Sequence, residues 1–120
     1  MSDHTTETAP DGSTVLRLAR GAAGSMAQFS FAKGSISRAV RHRRVEELWY
    51  VLEGKGEIWL CPDAGTSVTT ELQPGASVLI EAGCAFQVRV QGGAPLEVLA
   101  VTMPPWPGDE EAELVAGRWR

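Results

Sequence analysis

The chain has no long apolar segment, which limits how it can meet a membrane. Its first part, residues 1–12, reads MSDHTTETAPDG and lacks any apolar stretch. A signal peptide and a membrane span both need such a stretch, so we expect neither of them there. We therefore expect a cytoplasmic protein without a membrane partner, in which residues 1–12 form a disordered leader.

Positive charge and cysteine are also scarce. The 120 residues include 11 Lys and Arg against 15 Asp and Glu, which gives a formal net charge of −4. Nucleic-acid-binding domains normally present a basic face, so we expect no nucleic-acid partner. The two cysteines, Cys61 and Cys84, lie in separate apolar segments, and we expect buried thiols rather than a disulfide.

Helical periodicity is missing before residue 108. Short apolar runs alternate instead with Gly, Pro, Asp or Ser, a pattern typical of a sandwich or barrel of antiparallel strands. The regular spacing of strands and turns favours a jelly roll. The candidate strands are residues 14–19, 27–32, 35–41, 48–52, 57–61, 67–72, 77–80, 86–90 and 96–102.

The end of the chain contains the Pro-rich sequence MPPWPG at residues 103–108. Consecutive prolines favour an extended left-handed conformation. We expect residues 105–120 to form a tail that packs on the barrel or on a partner subunit, with Trp106 and Trp119 as apolar anchors. A short helix of one or two turns could follow at residues 109–115, because acidic residues stabilise a helix N-terminus.

The most specific pattern is SRAVRHRRVEELWYVLEGKGE at residues 37–57. Strand alternation places Glu47, Trp49 and Val51 on one apolar face, whereas Glu46 points outward. An unpaired carboxylate buried on such a face is unfavourable by several kcal/mol. Glu47 must therefore bind a metal, pair with a cation or hold a proton.

His42 lies on the preceding strand, on the same face as Val40 and Arg38. It could bind a metal, act as a general base or pair with Glu47, or it could be a buried histidine satisfied by one hydrogen bond. The nearby arginines form a solvated or interface strand, unless one or two point inward and hold an anionic substrate. These arginines are Arg38, Arg41, Arg43 and Arg44.

This segment resembles the first motif of the cupin family, in which two histidines two residues apart precede a glutamate and then, seven residues later, a glycine. Glu47 and Gly54 keep the last spacing, His42 takes the place of the second histidine, and Val40 that of the first. The resemblance covers about residues 35–102. It implies an all-β cupin jelly-roll barrel of antiparallel strands, which we place at residues 13–104, and a homodimer.

Residues 75–90, GASVLIEAGCAFQVRV, are similar to the second cupin motif. Gly75 and Gly83 are kept, but Glu81 replaces the proline and Phe86 replaces the third histidine. The four ligand positions of metal-bearing relatives thus become Val40, His42, Glu47 and Phe86.

Two surviving ligands make a poor metal site, because catalytic centres usually have at least three protein ligands. We therefore expect no cofactor. The alternative is a single divalent metal (zinc, iron, nickel or manganese) bound weakly by His42 and Glu47, to which Cys84 could add a thiolate.

Three functions remain open. The first is an isomerase, lyase or dehydratase, or cyclase with little or no metal dependence, in which His42 is the general acid or base, Glu47 assists it, and Arg38 holds a carboxylate or enolate oxygen. The second is a non-catalytic small-molecule-binding cupin, and the third is a metal-dependent cupin oxygenase. For each we expect a small-molecule ligand in a cavity lined by Trp49, Phe86, Val40, Val88 and Cys84, with Phe29 and Phe31 as further candidates.

Overall fold

Residues 6–120 are described by a computed structural model, in which the chain folds into two antiparallel β-sheets. One sheet has the strand order β1-β2-β3-β10-β5-β8, and the other has the order β11-β4-β9-β6-β7. This arrangement confirms the predicted all-β jelly roll. The strands are β1 (Thr6–Thr8), β2 (Thr14–Arg20), β3 (Ser25–Phe31), β4 (Val40–His42), β5 (Glu46–Glu53), β6 (Lys55–Asp63), β7 (Thr66–Leu72), β8 (Ser77–Ile80), β9 (Ala85–Gln91), β10 (Leu96–Met103) and β11 (Ala112–Leu114).

One hydrophobic core lies between the two sheets. Along β10, buried and half-buried residues alternate strictly, as expected when one face of a strand packs inward. The inward residues of both sheets pack together, and they include Trp49, Val51, Val98, Phe86, Val88 and Ile58. The apolar runs of the sequence therefore correspond to the two inner faces of the sheets.

A tight corner at Gly54 separates β5 from β6. Gly54 has a φ angle of +90°, a conformation that residues with a Cβ rarely adopt. A Cβ atom there would also lie 2.3 Å from the carbonyl oxygen of Pro95 and 2.7 Å from the Cα of Leu96. The seven-residue spacing between Glu47 and Gly54 therefore corresponds to the length of β5 from Glu47 to this corner.

The strand predicted at residues 35–41 is shorter than expected. Only Val40–His42 form β4, and Ile36 makes a single bridge to Arg89. Ser37 interrupts the ladder because its hydroxyl accepts a hydrogen bond from the backbone N–H of Val88 at 2.9 Å. The predicted strand therefore begins as an irregular segment that backbone and side-chain hydrogen bonds hold against β9.

The expectation of a disordered leader is wrong for residues 6–12. Thr6–Thr8 form β1, which pairs with β2. Asp11 is buried, and its Oδ1 accepts hydrogen bonds from the N–H and the hydroxyl of Ser13 at 2.9 and 2.6 Å. Backbone pairing and these two local hydrogen bonds therefore order a segment that has no apolar run. Residues 1–5 lie outside the described residues.

The tail packs on the barrel of its own chain. The backbone N–H of Trp106 donates to Ser25 Oγ at 2.9 Å, and the Arg89 guanidinium lies 4.6 Å from the ring centroid of Trp119. In place of the expected α-helical turns there is a 3-10 turn at Asp109–Glu111, followed by β11, which pairs with β4. Within residues 6–120, no helix is long and apolar enough to cross a bilayer.

Candidate active site

A cavity of about 140 Å³ lies between the two sheets. Its walls come from the inner faces of β2, β3, β5 and β10 on one side and of β4 and β9 on the other, with residues of β1 and the tail at its margin. Apolar cavities of roughly 150 Å³ admit a benzene-sized molecule. The cavity is therefore large enough for a small ring compound.

His42 occupies the end of β4 and points into this cavity. It is 5% exposed, and its ring contacts those of Phe86 and Trp106 edge to face, at centroid distances of 5.2 and 5.0 Å. Burial disfavours the charged imidazolium and lowers the pKa of His42 to about 4, although the carboxylate of Glu111 opposes this shift. His42 is therefore a neutral base at pH 7.

Glu47 enters the same cavity from β5. It is 1% exposed, and the indole Nε1 of Trp49 donates a hydrogen bond to its Oε2 at 2.8 Å. Burial raises the pKa of Glu47 to about 8; the Trp49 hydrogen bond opposes this rise, and the negative charge of Asp11 adds to it. Glu47 therefore carries a proton at neutral pH.

The two side chains face each other. Nδ1 of His42 lies 3.4 Å from Oε1 of Glu47, and it has no hydrogen-bond partner within the described part of the chain. The distance is longer than a normal hydrogen bond, and burial disfavours an ion pair without further donors. The resting pair is therefore a carboxylic acid beside a neutral imidazole, ready to exchange protons with a third group.

Glu111 holds the corner between β4 and β5 that brings the pair together. Its Oε2 accepts hydrogen bonds from the backbone N–H groups of Arg44 and of Val45, the latter at 2.7 Å. Burial is the largest single influence and would raise the pKa of Glu111, but these two donors, with the charges of His42 and Arg44, outweigh it and lower the pKa. The tail therefore fixes the geometry of the site.

The residues at the site do not fit a resident divalent metal. Val40 and Phe86 stand where the resemblance would place two histidines, and both are buried apolar side chains. In residues 6–120, no three His, Cys, Asp or Glu side chains converge as metal ligands. The donor set of the site is one imidazole and one carboxyl group.

Several predicted site residues are in the cavity, and others are not. Val40, Trp49 and Phe86 line it together with Phe29. Arg38 does not: it is exposed, and its backbone N–H donates to the carbonyl of Asp11 at 2.9 Å. The prediction that Arg38 holds substrate in the cavity is corrected accordingly, because the irregular segment before β4 breaks the strand alternation on which it depended.

Val88 and Cys84 are also corrected. Val88 is fully buried in the core opposite Ile58, further along β9 than the cavity. Cys84 precedes β9 and packs in the core. Burial raises the pKa of its thiol, which favours the protonated thiol over the thiolate. Phe31, a further candidate for the cavity wall, likewise lies in the core.

Sequence reasoning missed one part of the cavity lining. Its residues come from the polar N-terminal strands and from the tail, and they include Asp11, Arg17, Arg20 and Trp106. Burial raises the pKa of Asp11, against the hydrogen bonds from Ser13. The alternation of Val15 and Arg17 along β2 was the only sequence signal for this wall, because the contacts join distant parts of the chain.

Comparisons with known proteins agree with this architecture. Residues 27–102 match the family described as Cupin domain. An uncharacterized protein from Methanocaldococcus jannaschii is 26% identical over 110 residues, which are 88% of this chain and 83% of the relative.

Two solved structures show the same fold at low sequence identity. An uncharacterized conserved protein with a double-stranded beta-helix domain from Klebsiella pneumoniae matches with a TM-score of 0.73 and 15% identity, covering 92% of this chain and 90% of that one. Oxalate decarboxylase from Bacillus subtilis matches with a TM-score of 0.81 and 13% identity, covering 94% of this chain and 30% of that one.

Proposed function

The chain belongs to the cupin family, and from this premise we propose that it is an enzyme that moves protons on a small molecule with His42 and Glu47. The reactions that fit are isomerisation, dehydration and cyclisation. The observation that carries the proposal is a buried base and a buried acid 3.4 Å apart, with pKa values of about 4 and about 8. Titratable groups whose environments separate their pKa values in this way suit general base and general acid roles.

The pair can catalyse an enolisation without any other charged group. The free ring nitrogen of His42 takes a proton from the carbon next to a carbonyl group, while Glu47 gives its proton to the carbonyl oxygen. The products are a neutral enol, an imidazolium and a carboxylate. Because the two side chains are buried and lie 3.4 Å apart, their opposite charges stabilise each other more strongly than they would in water.

The second half of the reaction decides its outcome. Return of the His42 proton to a different carbon isomerises the double bond, and its transfer to a leaving hydroxyl group completes a dehydration. Attack of the enol carbon on a second carbonyl group closes a ring, and the new alkoxide oxygen takes the proton from His42. In each case Glu47 recovers its proton from the enol oxygen, and both side chains regain their neutral forms.

Cyclohex-3-en-1-one and 3-hydroxycyclohexanone are suitable probes, because isomerisation of the first and dehydration of the second both give the conjugated cyclohex-2-en-1-one, which is followed by its absorbance. We expect His42→Ala and Glu47→Gln to lower kcat by ~10²-fold or more. Glu46→Gln, which changes the neighbouring carboxylate outside the cavity, is the matched control. Unchanged turnover in a folded His42→Ala variant would remove His42 from the mechanism.

A non-catalytic small-molecule-binding protein is the second candidate. It is supported by the aromatic lining of Phe29, Trp49 and Phe86, whose rings contact one another at centroid distances of 6.0 and 5.9 Å. Such a surface can hold a flat ligand without any reaction. Ligand binding that leaves every probe unchanged would favour this candidate.

A further inference from the structure

We propose that the cavity takes a small monocarboxylate whose carboxylate is held by Arg20. The inference concerns the same cavity as the proposed function and names its substrate class. Arg20 stands at the end of β2 and lines the cavity near its mouth. It replaces Arg38 as the residue that recognises an anion.

The guanidinium of Arg20 is held in place but has unused donors. Its Nη1 donates to the backbone carbonyl of Trp106 at 2.9 Å. Within residues 6–120, no carboxylate lies within 4.0 Å of it, although three other arginines have such partners. The planar fork of a guanidinium matches the two oxygens of a carboxylate, so a ligand carboxylate fits the remaining donors.

The other arginine of the cavity is already neutralised. Arg17 forms an ion pair with Glu7 of β1, in which its Nε and Nη2 donate to the two oxygens of that carboxylate. A ligand would have to displace Glu7 to reach Arg17. Arg20, whose protein partner is a neutral carbonyl, binds an anion without breaking an ion pair.

Trp106 connects the anion site to the acid–base pair. Its backbone is held by Ser25 on one side and by Arg20 on the other, and its ring lies 5.0 Å from the ring of His42. A carboxylate on Arg20 therefore sits across Trp106 from the imidazole, with the body of the ligand over the apolar wall. An anion there also favours the protonated form of Glu47, which is the form that donates a proton.

The apolar wall defines the rest of the substrate. Trp49 and Phe86 present ring edges and faces, and Val40 lies beside them. These side chains favour a flat ring rather than a polyhydroxylated chain. The substrate class is therefore a ring-bearing carboxylic acid with a carbonyl group that reaches the acid–base pair.

Benzoate and benzamide test this inference, because they have similar shapes and differ in charge. We expect isothermal titration to show benzoate bound at least ~10-fold more tightly than benzamide, since charge-assisted hydrogen bonds are the stronger ones. Arg20→Gln should weaken benzoate binding ~10-fold or more. Arg38→Gln, which removes an exposed arginine outside the cavity, is the matched control and should leave the affinity unchanged.

A second variant and a spectroscopic readout complete the test. Arg20→Lys keeps the charge and should retain part of the affinity even where Arg20→Gln loosens the contact with Trp106. The chain has two histidines, His4 and His42, so the His42 ring signals can be assigned with His42→Gln and should move on benzoate binding. Benzoate that does not bind, that binds equally to Arg20→Gln, or that leaves the His42 signals unmoved overturns the inference.

These outcomes are separate from the test of the proposed function. Binding needs no proton transfer, so Arg20-dependent benzoate binding with no turnover of the cyclohexenone probe would leave this inference standing and remove the proposed function. Turnover that depends on His42 but not on Arg20, together with charge-independent binding, would do the reverse.

Discussion

His42 and Glu47 show how burial alone can set the protonation of two neighbouring side chains. Each is almost fully buried, and for each the loss of hydration outweighs every nearby charge or hydrogen bond. In water, with ordinary pKa values of 4.5 for the carboxyl group and 6.5 for the imidazole, both side chains would be charged between these two pH values. In the cavity both side chains stay neutral between about pH 4 and about pH 8, a range that includes neutral pH.

The shifted pKa values predict how stability depends on pH. The pKa of Glu47 rises from 4.5 to about 8 on folding, so its contribution to the free energy of unfolding is complete below pH 4.5 and is lost as the pH rises toward 8. The pKa of His42 falls from 6.5 to about 4, so its contribution is complete above pH 6.5 and is lost as the pH falls toward 4.

Between pH 6.5 and pH 8 the Glu47 effect acts without an opposing His42 effect. We expect urea denaturation to show the free energy of unfolding falling by about 2 kcal/mol across this interval, at 1.36 kcal/mol per pH unit. Glu47→Gln should flatten this slope, and Glu46→Gln should keep it. An unchanged slope in Glu47→Gln would mean that Glu47 is ionised in the folded protein.

The residues of the site that the sequence predicted are those that depend on local alternation. Glu47 and Trp49 share a face because they are two apart on β5, and this relation needs no knowledge of the partner strands. Arg38 and Arg20 could not be placed in this way. The position of Arg38 depends on the irregular segment before β4. The position of Arg20 depends on its contact with the tail, more than 80 residues away in the chain.

At the scale of the strands, Gly54 fixes where β5 ends. Its positive φ angle and the backbone of Pro95 both exclude a side chain. Gly65, at the turn between β6 and β7, has a similar φ angle of +92° but no atom within 4 Å of a Cβ. Comparing substitutions at the two glycines therefore distinguishes the cost of backbone strain from the cost of a steric clash.

We expect Gly54→Ala to destabilise the protein by about 3 kcal/mol or more, and Gly65→Ala by about 1 kcal/mol, because only the first adds a steric clash to the strain of a positive φ angle. Thermal and urea unfolding of both variants measure the difference. Equal losses in the two variants would show that the contact with Pro95 is relieved by a small shift of the corner.

The predicted strands were more reliable than the predicted ends of the chain. Apolar alternation located most central strands, because packing between two sheets demands it, but the range predicted for β4 shares only Val40 and Arg41 with the observed strand. It did not find β1 or β11, which are three residues long and lie at sheet edges. Both are held by backbone pairing with β2 and β4, and such pairing leaves little signal in side-chain hydrophobicity.

At the scale of the whole molecule, β5 has two apolar faces. Its inner face carries Glu47 and Trp49, and its outer face carries Leu48 and Tyr50, which are 44% and 49% exposed. Leu48 pairs with Leu79 on β8, itself 48% exposed, and with Val101 on β10. Neighbouring strands therefore present one continuous apolar surface. On most monomers, exposed apolar side chains are scattered singly instead.

We propose that this outer face, defined by Leu48, Tyr50, Leu79 and Val101, is where two copies of the chain meet. The surface belongs to three adjacent strands of one twisted sheet, and two such sheets can stack with aligned strands. The same patch on both copies makes a self-complementary contact about a two-fold axis. The homodimer expected from the sequence would then form through a sheet face.

Light scattering coupled to gel filtration tests this proposal. We expect a wild-type mass of twice the 12.9 kDa of the chain, and a monomer for Leu48→Glu combined with Tyr50→Glu, because buried unpaired carboxylates disfavour the contact. Val68→Glu is the matched control, since Val68 is 56% exposed on β7 of the other sheet and should stay dimeric. A monomeric wild type would overturn the proposed dimer, and a dimer lost in Val68→Glu would place the contact elsewhere. Because Leu48 adjoins Glu47 on one strand, a dimer through this face would also support from outside the strand that carries Glu47.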